Sequence, residues 1–171
     1  MLHPFGFRAD LSRHFTLSQE MCGSNPDFIA NLKRLAASGL LLESANPNPV
    51  LIADILKLTD RVPELRIVID HLPQALPPTE PSARKAYEHD LQALSRSSNV
   101  FVKGSEVLRQ VDGKVPADLD FYRPWLDEIW ENFGEDRLLY GSDWPNSDHL
   151  HLTPAHSTLS GSMSHAKDRR L

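Results

Sequence analysis

Short apolar runs and amphipathic segments alternate along most of the chain. In the amphipathic segments, apolar side chains recur at the spacing of one helical face, as Tyr87, Leu91 and Leu94 do in the third of them. The apolar runs have the length of buried strands and lie at residues 40–44, 66–71, 99–105 and 137–140. Because parallel strands are joined by helical crossovers, this alternation predicts an α/β fold built on a parallel sheet.

Prolines, asparagines and glycines mark where the predicted helices begin and end. Pro26 suits the first position of a helix, with Asn25 or Ser24 as its cap, and Gly39 suits the residue that closes it. Pro49 begins the second helix in the same way. These signals support the helical assignment independently of the apolar spacing.

The two ends of the chain depart from this alternation. Residues 5–11 contain one weak strand candidate and little else. From about residue 150 onward the chain is rich in His, Ser, Thr and basic residues, with no apolar periodicity. We therefore expect one domain over residues 1–149 and a disordered tail over residues 150–171.

The composition and net charge indicate which kinds of binding partner are compatible with this chain. The 171 residues suit one domain, and a formal net charge of −5 disfavours binding to nucleic acid or to an anionic membrane. No apolar stretch approaches membrane-spanning length, and the single cysteine, Cys22, suits a reducing compartment. We therefore expect a soluble cytoplasmic protein with a small-molecule substrate, and a homo-oligomer is compatible with these features.

Three of the predicted strands end in ionisable residues. These are His71, Lys103 and Asp143, the last of which follows Gly141 and precedes Pro145 in the segment GSDWP. The carboxyl ends of parallel strands meet at one edge of a sheet, where α/β proteins place their functional groups. The sequence therefore predicts an active site assembled from several strands at this edge.

Alternation along the strands assigns side chains to faces of the sheet. If His71 points to the inner side of a curved sheet, Ile67 and Ile69 join it there. By the same parity, Asp143 shares a face with Leu139. Each strand then has bulky packing below and a polar group at its tip, as the interior of a barrel with a functional rim requires.

Three segments stand out in this order along the chain: residues 67–72 (IVIDHL), 99–105 (NVFVKGS) and 133–145 (FGEDRLLYGSDWP). Together they resemble the amidohydrolase-related family, whose members are TIM-barrel hydrolases that include lactonases acting on sugar lactones and pyrone dicarboxylates. The resemblance covers roughly residues 5–149 and implies an incomplete parallel (β/α) barrel of about five of the eight β-α units, since a whole barrel needs about 250 residues. The His-x-His pair that ends the first strand of family members has no counterpart upstream of residue 24.

The resemblance implies a role for each candidate residue. Asp143 would activate the hydrolytic water, as a general base or as a metal ligand, and His71 would polarise the substrate carbonyl or bind the metal. Lys103 would bind a substrate carboxylate or stabilise developing negative charge, while Arg8 and Trp144 would line the pocket. From the residues alone, structural roles stay open: a turn cap for Asp143, a hydrogen-bonded rim position for His71 and a solvated lysine for Lys103.

The implied reaction is attack of water on the carbonyl of a small, anionic lactone, ester or amide. A divalent metal, zinc or manganese, is the implied cofactor, and metal-independent hydrolysis stays open because family members differ in this respect. Two alternatives remain from the sequence. One is a catalytically inactive fragment that associates with itself or with another chain, and the other is an open α/β domain that binds a small ligand.

Overall fold

A computed structural model of the chain describes residues 25–44, 48–74 and 77–147. Within them, four helices alternate with four strands in the order α1 (Pro26–Ala37), β1 (Leu41–Ser44), α2 (Pro49–Arg61), β2 (Arg66–Ile69), α3 (Pro81–Ser95), β3 (Val100–Gly104), α4 (Leu119–Phe133) and β4 (Leu138–Tyr140). Single 3-10 turns lie at Leu72–Gln74 and Glu135–Arg137. The weak strand predicted at residues 5–11, with Arg8, and the tail predicted at residues 150–171 lie outside the described residues.

The four strands form one parallel sheet in the order β1-β2-β3-β4. Leu42 pairs with Ile67, Ile67 with Val100, and Val102 with Leu138. Each strand therefore lies beside the one that follows it in the sequence, and α2, α3 and α4 are the crossovers between neighbours. The predicted α/β class and parallel sheet are confirmed.

The helices begin where the sequence places its capping residues. The Asn25 side chain accepts hydrogen bonds from the backbone N–H groups of Asp27 and Phe28, so Asn25 is the cap of α1. The Asn48 side chain accepts one from Leu51 N–H at 2.9 Å and caps α2. Within the described residues, no helix is long and apolar enough to cross a membrane.

The hydrophobic core lies between one face of the sheet and the helices. Its strand residues are Leu42, Ile67, Ile69, Val100 and Val102, and its helical residues include Ile52, Ile55, Leu58, Leu91 and Leu94. Burial of each such side chain stabilises the fold by about 1.5–3 kcal/mol. Because a one-residue slip of any strand would move its apolar side chains out of this core, the core fixes the strand register.

The opposite face of the sheet, here called the inner face, carries the other half of the strand side chains. In register across the strands, these are Glu43, Val68, Phe101, Lys103 and Leu139. Phe101 and Lys103 are half-buried, whereas Val100 and Val102 on the helical side are fully buried. The inner face therefore combines apolar surface with charged groups, as the lining of a barrel does.

The face assigned to the second strand from the sequence is wrong. Ile67 and Ile69 lie in the core against the helices, and the inner face instead carries Val68 and Asp70. Strict alternation fails at the end of β2 because His71 has a positive φ of 56°. This left-handed backbone conformation redirects the His71 side chain, so its parity with the strand below carries no information.

Candidate active site

The segments that follow β2, β3 and β4 bring three ionisable side chains together. His71 Nε2 lies 3.8 Å from Asp143 Oδ1, and His71 Nδ1 lies 4.0 Å from Glu106 Oε2. One nitrogen or oxygen atom from each of the three residues lies within 4.8 Å of the others. We call this group the strand-end cluster. It joins two residues predicted from the sequence, His71 and Asp143, to one that was not predicted, Glu106.

All three residues of the strand-end cluster have left-handed backbone conformations. The φ angles are 56° at His71, 51° at Glu106 and 56° at Asp143. For a residue with a Cβ atom this region costs about 1–2 kcal/mol. Each residue follows a strand within two or three positions, so the conformation turns a side chain at the strand end toward its neighbours.

Ser105 contacts the imidazole from the side opposite Asp143. Its hydroxyl oxygen lies 2.8 Å from His71 Nδ1, a hydrogen-bonding distance, and the residue is only 1% exposed. Ser105 directly follows β3. The hydroxyl can donate to or accept from the ring nitrogen, and in either case it leaves Nε2 as the nitrogen facing Asp143.

Gly141 allows β4 to approach this serine closely. A Cβ atom at Gly141 would lie 3.2 Å from both Ser105 Cβ and Lys103 Cδ, closer than ordinary contact. The Gly141 N–H group donates to Gly104 O at 3.4 Å and extends the pairing between β3 and β4. The glycine of the GSDWP segment is therefore required by packing at the base of the cluster.

Lys103 lies below the cluster, between two carboxylates of the inner face. Its Nζ atom is 2.6 Å from Asp70 Oδ1 and 3.2 Å from Glu43 Oε1. Asp70 is 1% exposed. Burial alone lowers the pKa of Lys103, but the hydrogen bonds and charges of Asp70 and Glu43 outweigh it and raise the pKa above its usual value. We call these three residues the ion triad.

The ion triad bears on the predicted role of Lys103. One ammonium group between two carboxylates forms a group with a net negative charge, which does not attract a third carboxylate. Substrate binding by Lys103 stays a prediction, and it requires one of the two ion pairs to be exchanged for the substrate.

Trp144 is placed differently from the cluster residues. It is 73% exposed, and its backbone N–H group donates to Ser142 Oγ at 3.2 Å. The Asn146 amide donates to Asp143 Oδ1 at 3.3 Å. The pocket-lining role of Trp144 stays a prediction, and that of Arg8 concerns a residue outside the described ranges.

The strand-end cluster has the donor set of a divalent-metal site. It offers one imidazole and two carboxylates, which are ligands of zinc and manganese in proteins. The Asp143 side chain is only 8% exposed, and its Oδ2 atom is buried without a hydrogen-bond partner among the described residues. A buried carboxylate oxygen is stabilised by a cation or a donor. The residues present therefore fit a divalent metal.

Glu106 and Ser105 were missed by the sequence reasoning, although a signal for them exists. Glu106 follows the last residue of β3 by two positions, as His71 follows the last residue of β2. Ser105 was part of the quoted NVFVKGS segment but received no role. A rule that considers polar residues up to three positions beyond a strand would have found both.

Comparisons with known proteins agree with this geometry. The family model described as amidohydrolase matches residues 42–159. An L-fucono-1,5-lactonase of Burkholderia ambifaria is 37% identical over 93 residues, which are 54% of this chain and 31% of that protein. The chain thus spans about a third of the length of this curated relative.

Solved structures give the same result for the fold. An amidohydrolase of Burkholderia multivorans, crystallised with bound zinc, matches 97% of this chain and 57% of its own with a TM-score of 0.73 and 22% identity. Amidohydrolase 2 of Bifidobacterium longum subsp. infantis matches 92% of this chain and 53% of its own with a TM-score of 0.61 and 28% identity. The chain spans little more than half of either structure.

The prediction of an incomplete TIM barrel is confirmed by these matches. Four of its parallel strands lie in the described residues, and the fifth predicted unit, at residues 5–11, lies outside them. Since the family model matches well over half of the residues, the chain belongs to the amidohydrolase family and carries part of its barrel.

Proposed function

We propose that the chain carries part of a hydrolase active site in which water attacks the carbonyl carbon of a small lactone, ester or amide. The observation that carries this proposal is the strand-end cluster. His71 and Asp143 come from different strands, and their side chains lie 3.8 Å apart at the carboxyl edge of a parallel sheet. This is the edge at which TIM-barrel enzymes perform their chemistry.

In the proposed reaction, Asp143 accepts the proton of the attacking water. Its Oδ1 atom faces His71, and the carboxylate is nearly buried, which favours proton transfer over exchange with bulk solvent. His71 presents Nε2 to the same space and stabilises the oxygen on which negative charge develops. In this arrangement the Asp143 carboxylate would act as the general base, and the His71 imidazole would polarise the substrate carbonyl.

We propose zinc or manganese as the cofactor, held by His71, Glu106 and Asp143. When bound, such an ion would polarise the carbonyl in place of the imidazole, because a ring nitrogen that binds a metal has no proton to donate, and it would lower the pKa of water. The orphaned Oδ2 atom of Asp143 and the composition of the cluster support this assignment. The zinc in the Burkholderia multivorans amidohydrolase makes zinc the first ion to test. A metal-independent hydrolase is the alternative, which removal of metal distinguishes.

The substrate class is proposed from the family and from the charges of the inner face. The relative named L-fucono-1,5-lactonase places sugar lactones first in the substrate panel. An anionic substrate stays a prediction that rests on Lys103, whose charge is already matched within the ion triad. Comparison of neutral sugar lactones with pyrone carboxylates would decide between the two classes.

The test is hydrolysis of this panel by the purified chain, with and without added zinc or manganese and after chelation. We expect Asp143→Asn to lower kcat by about 10²–10⁴-fold, the usual contribution of a general base. Asp112→Asn is the matched control because Asp112 also has a left-handed backbone, with φ of 51°, but lies in the turn between Val111 and Lys114. Undiminished turnover by Asp143→Asn would contradict the assigned role.

A second candidate is a catalytically inactive partial barrel that associates with itself or with another chain. Strand β4 favours it, because among the described strands it pairs on one side only, and Leu139 and Tyr140 are 42% and 56% exposed there. Sedimentation of the same sample tests this candidate. A folded monomer that hydrolyses lactones would exclude it, whereas an inactive dimer would support it.

A further inference from the structure

The environment of Ser105 calls for an explanation beyond packing. Its hydroxyl group is buried in the segment that follows β3 and lies 2.8 Å from His71 Nδ1. A second buried serine, Ser44, ends β1 with its hydroxyl unpartnered among the described residues. Two serines at the carboxyl ends of strands are thus similarly buried, yet only Ser105 contacts the strand-end cluster.

The Ser105 contact determines whether Nε2 or the ring carbon Cε1 of His71 faces Asp143. An imidazole ring that flips by about 180° exchanges the positions of its two sides at little intrinsic cost, because the terminal torsion is broad and two-fold. The hydrogen bond to Ser105 holds Nδ1 on one side, and Nε2 then lies 3.8 Å from Asp143 Oδ1. Glu106 Oε2 lies on the Nδ1 side as well, but at 4.0 Å it is beyond direct hydrogen-bonding distance.

The position of Ser105 is itself fixed by the sheet. The space beside its Cβ atom is filled by Gly141, where even a methyl group would approach to 3.2 Å. Gly141 is hydrogen-bonded to Gly104, the residue that precedes Ser105. The hydroxyl group is therefore presented to the ring by two paired strand ends, which is the support that a precisely placed ligand needs.

We propose that Ser105 is a positioning residue that fixes the orientation of the His71 ring, so that Nε2 and not the ring carbon Cε1 is directed at Asp143 and at a bound cation. The ring orientation follows from the structure alone, and the role of Nε2 rests on the proposed function. Residues that orient a ligating histidine in this way contribute about 10–100-fold to metal affinity or activity.

The experiment compares Ser105→Ala with Ser44→Ala, each of which removes one buried hydroxyl group at the end of a strand. In metal-free, nitrogen-15-labelled protein, the ring nitrogen shifts of His71 report how the proton is shared between Nδ1 and Nε2, and His71→Gln assigns them. We expect these shifts to move toward each other in Ser105→Ala and to stay unchanged in Ser44→Ala. Unchanged shifts in Ser105→Ala, or equal changes in both variants, would overturn the proposal.

Zinc titration by calorimetry then connects the ring to the cluster. We expect the zinc affinity of Ser105→Ala to be about 10–100-fold lower than that of the parent chain, and that of Ser44→Ala to be unaltered. A parent chain that binds no zinc would count against the proposed metal, while the ring shifts would still decide the role of Ser105. Equal affinities in the parent and Ser105→Ala would count against Ser105 itself.

Discussion

Replacement of Lys103 by methionine tests whether the ion triad is a structural element of the sheet. The substitution keeps an unbranched side chain, shorter by the charged terminal atom, and so removes its charge. Asp70, at 1% exposure, would lose the ammonium group that lies 2.6 Å from its Oδ1 atom. Glu43 would lose a partner at 3.2 Å, so two carboxylates on neighbouring strands would face each other without a cation between them.

The expected loss follows from the burial of each partner. At an effective dielectric constant of about 20, attraction between unit charges at this separation is about 6 kcal/mol before desolvation is subtracted. Removal of one partner from a fully buried pair costs about 3–5 kcal/mol. The side chains of Lys103 and Glu43 are 25% and 22% exposed, so water screens part of the interaction. We therefore expect the free energy of unfolding to fall by about 2–3 kcal/mol.

Urea denaturation of Lys103→Met, Asp70→Asn and the double variant measures this loss and the coupling between the two residues. We expect the double variant to be more stable than Lys103→Met, because the asparagine leaves no buried charge. Lys85→Met is the control, since Lys85 is exposed on α3 and its replacement should change stability by less than about 0.5 kcal/mol.

The dependence of stability on pH gives a second readout. The pKa of Lys103 is raised in the folded chain, because the partners outweigh burial. Above about pH 10.4 the unfolded chain therefore releases this proton before the folded chain does, and stability falls as the pH rises toward the folded pKa. Lys103→Met should lack this part of the fall. If Lys103→Met is as stable as the parent at neutral pH and loses stability in the same way at alkaline pH, the reasoning is refuted. A selective rise in KM for anionic lactones in this variant would instead favour the predicted substrate contact.

Three further substitutions probe the surroundings of the cluster and the fold. Gly141→Ala places a methyl group 3.2 Å from Ser105 Cβ, so we expect urea denaturation to show a loss of about 1–2 kcal/mol, and full stability would mean that the contact relaxes. Glycine adopts the left-handed backbone of Glu106 without steric strain, whereas alanine does not. We therefore expect Glu106→Gly to be more stable than Glu106→Ala by about 0.5–1 kcal/mol in thermal melts, and the reverse order would contradict the strain. Asn48→Ala removes the acceptor of Leu51 N–H and should cost about 1 kcal/mol by urea denaturation, unless water replaces the cap.

The fold was predictable because local signals agree with one another. Apolar runs of strand length alternate with helical spacing, and Asn25, Pro26 and Pro49 mark the starts of two helices. A parallel sheet follows from that alternation with few alternatives. The positions of His71 and Asp143 at the carboxyl edge follow in turn, since they come after strands that run the same way.

The contacts of the ion triad and the orientation of the β2 side chains could not be predicted from the sequence, for different physical reasons. The partners of Lys103 come from two other strands, so the pairs are set by the strand register, which the sequence pattern leaves undetermined. The face of β2 was misassigned because parity was counted backward from His71, whose left-handed backbone breaks the alternation. Counting forward from the buried Ile67 and Ile69 would have placed Asp70 on the inner face, although not beside a particular residue of β3.

Left-handed backbone conformations are concentrated in the strand-end cluster. Four residues other than glycine have positive φ there: His71, Glu106, Asp112 and Asp143. Asp112 precedes Gly113 in a tight turn, where an aspartate adopts this conformation readily. The other three are the three members of the cluster, and their conformations together cost about 3–6 kcal/mol. No strand or helix requires that cost, since each element ends before the residue concerned. Residues in such conformations persist where the surroundings over-determine them, and they concentrate at sites of chemistry. This distribution favours the strand-end cluster as the place where a metal and a substrate carbonyl would be bound. Lys103 is less suited to that role, because it already has two carboxylate partners.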